Sequence, residues 1–287
     1  MQQLSVSEFS TYRWTFFQDV IKYSRHGYSS IGIWRTKVED YGLVEAVDLI
    51  HEMKLTVSSL NWAGGFTGSD GRSFVDAVED AMDAIRLASS LQANCLVIHP
   101  GARNLHTQGH AHRILEAALQ QLIPVAADYD ICLAIEPMLT GDASHWSFLE
   151  SFEQHLEIVN RHPVERLGLV LDLFHVGREA SVFQQLPDYF DRIRLVQIAD
   201  RRQKIGSEDS RCPLGTGIVP LDKWIGRLDQ LGYAGPLEIE LRGSDMERVD
   251  YTDLLRDSLA FLDRSIAKAR IMASPSTLDL SHSSLKL

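Results

Sequence analysis

The stretch Leu167-Gly-Leu-Val-Leu-Asp172-Leu-Phe-His175 is a short apolar run closed by a carboxylate, with an imidazole three residues further on. A run of this length, too short for a helix and without polar alternation, reads as a strand covered on both faces. The pattern recurs on either side of it. Upstream stand Leu96-Val-Ile-His99-Pro-Gly and Leu133-Ala-Ile-Glu136-Pro; downstream stand Leu195-Val-Gln197-Ile-Ala-Asp200-Arg201 and Leu237-Glu238-Ile-Glu240-Leu.

Extended to the whole chain, the reading finds eight strands, at Gln3 to Val6, Ser30 to Trp34, Leu55 to Leu60, Cys95 to His99, Ile131 to Glu136, Leu167 to Asp172, Ile193 to Gln197 and Leu237 to Leu241. Helical periods fall between them, at Trp14 to Arg25, Leu43 to Met53, Arg72 to Leu91, Ala111 to Tyr129, His145 to Asn160, Ser181 to Leu186, Leu221 to Leu231 and Tyr251 to Ala269. The third is the clearest, with Phe74, Val78, Ala81, Met82, Ile85, Ala88 and Leu91 on one stripe. Strands that alternate with helices in this way predict an α/β fold, a single (β/α)8 TIM barrel. The 287 residues allow one such domain or two smaller ones, and no linker splits the pattern. The barrel is assigned to residues 1–270 and a Ser-rich C-terminal tail to 271–287, which packs on the barrel, dangles or supports a homo-oligomer. Pro124 is expected to kink or interrupt the fourth helix, and the segment after Val182 is short for a full one.

The net charge of −11 argues against non-specific binding to nucleic acid or to an anionic membrane. A composition 45% hydrophobic and 23% charged is that of an ordinary globular protein. Cys95, Cys132 and Cys212 are too few and too scattered for a disulfide framework or a cysteine zinc site. The opening MQQLSVSEFS lacks the basic-then-apolar order of a secretion signal, and no run of 18 apolar residues occurs, so the expected location is the cytoplasm.

In such a barrel the chemistry sits at the C-terminal ends of the strands. Strands five to eight are neighbours there, and their ends bring Glu136, Asp172, Gln197 and one of Glu238 or Glu240 to one side of the mouth. Three carboxylates and an amide oxygen suit a hard divalent ion such as Mn2+ or Mg2+, with Zn2+ less favoured. Any one of these acids could instead be a solvated loop residue or a helix cap. Glu238 and Glu240 point to the same face, so spacing leaves the choice between them open, the other being a partner for Arg242 or a polar core residue. Trp62 reads equally as a pocket wall or as packing, and Gly64-Gly65 as a tight or mobile loop.

At Ile135-Glu136-Pro137, Leu171-Asp172-Leu-Phe-His175, Val196-Gln197-Ile-Ala-Asp200, Arg211-Cys-Pro-Leu-Gly215-Thr-Gly217 and Gly232-Tyr-Ala-Gly-Pro-Leu-Glu-Ile-Glu240, the chain resembles the sugar phosphate isomerase/epimerase family of xylose isomerase-like barrels. That family includes hydroxypyruvate isomerase, ketose 3-epimerases and inosose dehydratase. The resemblance implies one divalent metal held by Glu136, Asp172, Gln197 and Glu240, the last chosen because it stands eight residues after Gly232. Many members have His where this chain has Gln197, whereas the hydroxypyruvate isomerase branch has Gln. Mn2+ or Mg2+ is the cofactor implied first, with Co2+ and Zn2+ as further candidates. The resemblance also makes His175 and Arg211 substrate contacts and matches His99 to a frequent polar residue after the fourth strand. Apart from it, His175 could simply orient Asp172, Arg211 could be a surface residue and His99 a loop cap.

The expected activity is metal-dependent isomerisation or epimerisation of a sugar, keto-acid or cyclitol. A divalent ion stabilises the enediolate, and Glu136 and Glu240 take and return the carbon-bound proton. The alternatives are a dehydratase of the inosose or dehydroshikimate type, in which the same enolate expels a hydroxyl group, and a non-catalytic sugar-binding barrel. A DNA-repair nuclease of the apurinic type is disfavoured by the acidic balance and by the lack of any His from Ile193 to Gln230.

Overall fold

A computed structural model describes residues 2–139, 143–202, 210–243, 246 and 248–273. Eight parallel strands close into a barrel: β1 (Gln3–Ser7), β2 (Ser30–Trp34), β3 (Thr56–Gly64), β4 (Leu96–His99), β5 (Leu133–Ile135), β6 (Leu167–Asp172), β7 (Ile193–Ile198) and β10 (Pro236–Ile239). Between β7 and β10 a small antiparallel ribbon, β8 (Asp200–Arg201) with β9 (Arg211–Cys212), stands over the mouth. Parallel pairing of β10 with β1 and β7 closes the ring. The strands whose ends carry the acids are consecutive around it, in the order β5, β6, β7, β10.

The main helices are α1 (Phe16–His26), α2 (Arg35–Tyr41), α3 (Leu43–Glu52), α4 (Phe74–Ser90), α5 (Gln108–Asp128) and α6 (Phe152–Val159). They are followed by α7 (Leu173–Val176), α8 (Ala180–Gln184), α9 (Leu186–Tyr189), α10 (Leu221–Gln230) and α11 (Tyr251–Ala273). In α4, Ser73 and Asp76 form a capping box, and Val78, Ala81, Ile85 and Ala88 are buried against the sheet as their spacing predicts. Burial of Ile85 alone stabilises the fold by about 1.5–3 kcal/mol.

Two local expectations are changed. Helix α5 runs through Pro124 without interruption, because Pro124 and Gln120 lie on the exposed face, where water can reach the carbonyl that the proline leaves without a donor. The helix expected from His145 starts only at Phe152. Trp146 to Leu149 instead form a folded-in loop, with Phe148 and Leu149 buried, and the Ser151 hydroxyl caps the helix by accepting from Gln154 N. The short segment after Val182 is two helices, α8 and α9, separated ahead of Pro187. Helix α2 was not legible, since its seven residues, with only Lys37 and Val38 buried, carry no apolar stripe. Helix α11 takes in residues 271–273, and the rest of the expected tail lies outside the described residues. No helix among the described residues is long and apolar enough to cross a membrane.

The barrel interior is of two kinds. Cys95, Val97, Ala134, Val170 and Leu195 from β4 to β7 and their flanks form an apolar cluster, with Trp62 packed on it. On the β1, β3 and β10 side the interior is polar, with buried Ser5, Ser58, Ser59, Asn61 and Glu238.

Candidate metal and acid-base site

The apolar strands stop at the mouth, and side chains at their ends face one another. Glu136 follows β5, Asp172 ends β6, and Asp172 pairs in register with Gln197 of β7. The Glu136 carboxylate accepts from His99 Nε2 at 2.8 Å through Oε2, while its Oε1 lies 3.9 Å from His175 Nε2. His175 Nε2 is 3.8 Å from Asp172 Oδ2. One ligand atom from each of Glu136, Asp172 and His175 lies within 4.8 Å of the other two, and all three residues are buried. Asp172 is fixed by Phe174 N, which donates to Oδ1 at 2.7 Å, and Arg211 Nη2 donates to Oδ2 at 3.1 Å. The same Nη2 is 3.8 Å from Glu240 Oε1, which Arg242 Nε approaches to 3.3 Å.

Gln197 joins two levels of the barrel. Its Nε2 donates to Glu240 Oε2 at 2.7 Å and to Glu238 Oε1 at 3.3 Å. Carboxylates only accept, so the amide nitrogen belongs on that side, and Oε1 is turned the other way, buried with no hydrogen-bond partner. The two glutamates left open by the spacing separate here. Glu240 faces the arginines of the mouth. Glu238 lies in the polar interior, where the Ser58 and Ser59 hydroxyls donate to its Oε2 at 2.6 and 2.8 Å. Gly32 makes that room, since a Cβ there would lie 2.3 Å from the Glu238 carboxylate.

Electrostatics follow from burial. It pushes Glu238 up to about 7, opposed by the Ser58 hydrogen bond. Burial also raises Asp172 to about 8, opposed by the Arg211 guanidinium and reinforced by the charges of Glu136 and Glu240. Glu136 goes the other way, down to about 2, because the His99 hydrogen bond and the positive neighbours outweigh burial. Burial holds His175 well below the ordinary imidazole value. Crowded carboxylates, a neutral imidazole and an orphaned amide oxygen form a donor set that a hard divalent cation fits.

Of the residues expected from sequence, His99 and His175 both sit against Glu136. Arg211 is fully buried, with its guanidinium 3.9 Å above the Phe174 ring, rather than at the surface. Asp200 explains the Gly215-Thr-Gly217 motif: its carboxylate accepts from the amides of Arg201, Gly215, Gly217 and Val219, and thereby ties the loop carrying Arg211 to β7. Gly64, at φ +139°, lets β3 press on the His99 carbonyl, which a Cβ would meet at 1.8 Å, so the Gly-Gly pair is a tight approach.

Of the two readings that the sequence leaves open for Trp62, the structure bears out the pocket wall, and Trp146, which the sequence does not point to, completes it. Trp62 stacks on His99 with ring centroids 5.3 Å apart, and Trp146 meets both rings edge-on. With Asp70 and His145 they line a cavity of about 530 Å³ beside the Glu136 pair. No signal placed Trp146 there, because it follows β5 by eleven residues and its loop read as helix.

A sequence model of the xylose isomerase-like TIM barrel family matches residues 20–265. The chain belongs to that family. This xylose isomerase-like barrel is 27% identical to a ketose 3-epimerase of Arthrobacter globiformis over 141 residues, 49% of this chain and 45% of that protein. It is 23% identical to an inosose isomerase of Bacillus velezensis over 239 residues, 78% of this chain and 82% of that protein. It is also 28% identical to a probable endonuclease 4 of Mesomycoplasma hyopneumoniae over 124 residues, 43% of each chain. The chain therefore spans less than half the length of the epimerase and of the endonuclease that it matches. Among solved structures, that of the IolI protein with a bound zinc atom shares the fold of this xylose isomerase-like barrel, with a TM-score of 0.82 at 20% identity over 93% of this chain and 99% of that one.

Proposed function

We propose that this chain is a divalent-metal-dependent isomerase or epimerase of a sugar or sugar-like keto compound, in which Glu136 and Glu240 move a carbon-bound proton. The observation that carries the reading is the convergence of Glu136, Asp172 and His175 within 4.8 Å, with the orphaned oxygen carried by Gln197, the register partner of Asp172. The ketose 3-epimerase and inosose isomerase relatives bear names of the same chemistry. Glu136, Asp172, Gln197 and Glu240 would hold the ion, Mn2+ or Mg2+ by the hardness of the donors, with the zinc of the IolI structure as a further candidate. Bound there, it supplies Lewis-acid stabilisation of the charge that develops on substrate oxygens.

The residues do the rest. His99 holds one oxygen of Glu136, so the other is presented to the site for proton transfer. Glu240 has one oxygen fixed by Gln197 and the other beside Arg211 and Arg242, whose charges stabilise its ionised form between proton transfers. His175 and Arg211 hold substrate oxygens and help carry negative charge. Trp62 and Trp146 pack on the His99 ring and so help hold it against Glu136.

The test is incubation of metal-loaded protein with neutral ketoses, inososes and hydroxy-keto acids in D2O, followed by proton NMR. Glu136→Gln and Glu240→Gln should each reduce exchange by about 100- to 10,000-fold with the circular dichroism unchanged. Exchange at the wild-type rate in either variant would overturn the assignment. Loss of a hydroxyl group in place of exchange would identify a dehydratase.

A further inference from the structure

We propose that Arg201, with its cross-strand neighbour Arg211, seats an anionic group, a carboxylate or a phosphate, carried by the substrate. The inference rests on the isomerase reading above and narrows its substrate class. Arg201 and Arg211 are direct register partners in the ribbon of β8 and β9, so both side chains leave the same face. Both guanidiniums turn to one aromatic ring, Arg211 at 3.9 Å and Arg201 at 5.7 Å from the Phe174 centroid. Two like charges placed opposite each other on a short ribbon repel, and the fold nevertheless holds them there.

Their surroundings differ in one respect. Arg211 is paired with Asp172 at 3.1 Å. Arg201 is only 7% exposed, yet among the described residues its guanidinium has no hydrogen bond and no carboxylate within ion-pair distance. Phe174 gives it a π face and nothing more. A guanidinium with no protein acceptor, whose nitrogens still reach solvent, is open to an anion, and its planar fork matches a carboxylate or phosphate in particular. Burial, and then the charge of Arg178, pull Arg201 below the ordinary arginine value, against the charges of Glu179 and Asp172.

The position is also rigid and adjacent to the chemistry. Asp200 accepts four backbone amides, that of Arg201 included, and pins the ribbon to the end of β7. Phe174 stands two residues beyond Asp172, so an anion between the two arginines lies next to the candidate metal ligands. A ligand anchored here by its charged end presents its remaining oxygens to the acid-base groups.

The experiment uses the full chain, with Mn2+ and again with EDTA so that the metal itself cannot hold the anion. Inorganic phosphate and acetate are titrated at constant ionic strength into wild type, Arg201→Gln, Arg201→Lys and the exposed control Arg178→Gln. Calorimetry and thermal midpoint are the readouts. We expect at least one anion to bind wild type and to weaken by about tenfold in Arg201→Gln, with partial recovery in Arg201→Lys and little change in Arg178→Gln. Which of the two anions binds tells phosphate from carboxylate. No anion binding in wild type, or equal binding in a folded Arg201→Gln, overturns the seat. In D2O, exchange on ketose phosphates or keto acids should fall in Arg201→Gln while exchange on neutral ketoses does not. Exchange confined to neutral ketoses and insensitive to Arg201 rejects the seat and leaves the isomerase reading standing. Arg201-dependent anion binding with no exchange on any compound rejects the isomerase reading and supports the seat.

Discussion

After β1, Lys37 Nζ donates to the Glu8 and Thr11 carbonyls and to Asp19, while Thr11 donates to Asp19 and Trp34 N donates to Glu8. At the ends of β5 to β7, Glu136, Asp172 and His175 are buried just as deeply, but the Gln197 oxygen and His99 Nδ1 have no partner. Both regions bury acids beside cations at the same end of one barrel. The first is closed on itself. Glu8 Oε1 lacks a donor, and burial together with the nearby Asp19 charge keeps Glu8 protonated well above the ordinary range, so that its own proton links the two acids. The second ends in acceptors with no donor among the described residues. Burial of charge is common to structural and functional clusters; in the second, the unpaired acceptors accompany three residues that could hold a metal ion.

Two substitutions should break this contrast in opposite directions and with the largest effects. Lys37→Met leaves Asp19 buried without its cation and should cost about 3–5 kcal/mol in urea unfolding, with metal affinity unchanged. Asp172→Asn should weaken Mn2+ binding by more than about 100-fold in calorimetry, beyond what outer-layer changes produce, while unfolding stability is kept. A stable Lys37→Met protein, or full metal affinity in Asp172→Asn, would mean that the two clusters have been assigned the wrong way round.

A smaller effect sharpens the role of Glu238. Glu238→Gln replaces an acceptor-only group by one that also donates, so the Gln197 amide is no longer forced to turn its oxygen away. Mn2+ affinity should fall by about tenfold with the fold intact. An unchanged dissociation constant would reduce Glu238 to a packing residue.

The smallest effect is a slope. The folded pKa of Glu8 is raised above 4.5, so between that value and the raised one the folded chain keeps a proton that the unfolded chain releases. Stability therefore falls as pH rises through this window. Glu8→Gln should flatten the decline, as read from urea midpoints at several pH values. An identical slope in the variant would place the proton elsewhere.

Much of this is legible in the sequence. Each apolar run, such as Leu133-Ala-Ile and Leu167 to Leu171, is a strand because a segment covered on both faces must be apolar throughout, and the polar residue at its end marks where cover stops. For that reason Glu136, Asp172 and Gln197 could be named as neighbours. Helix α2 and the Trp146 loop were not legible, since their residues are held by contacts with distant segments rather than by a local period.

The sequence by itself determined the barrel, its order of strands and the group of acids at one side of the mouth, because periodicity and strand order depend on neighbours along the chain. Only the tertiary structure decided that Glu240 faces the arginines while Glu238 is clasped by Ser58 and Ser59, that Trp62 and Trp146 frame His99, and that Arg211 has a carboxylate while Arg201 has none. Those differences arise between residues far apart in the chain, where the partner each polar group finds depends on how the barrel closes.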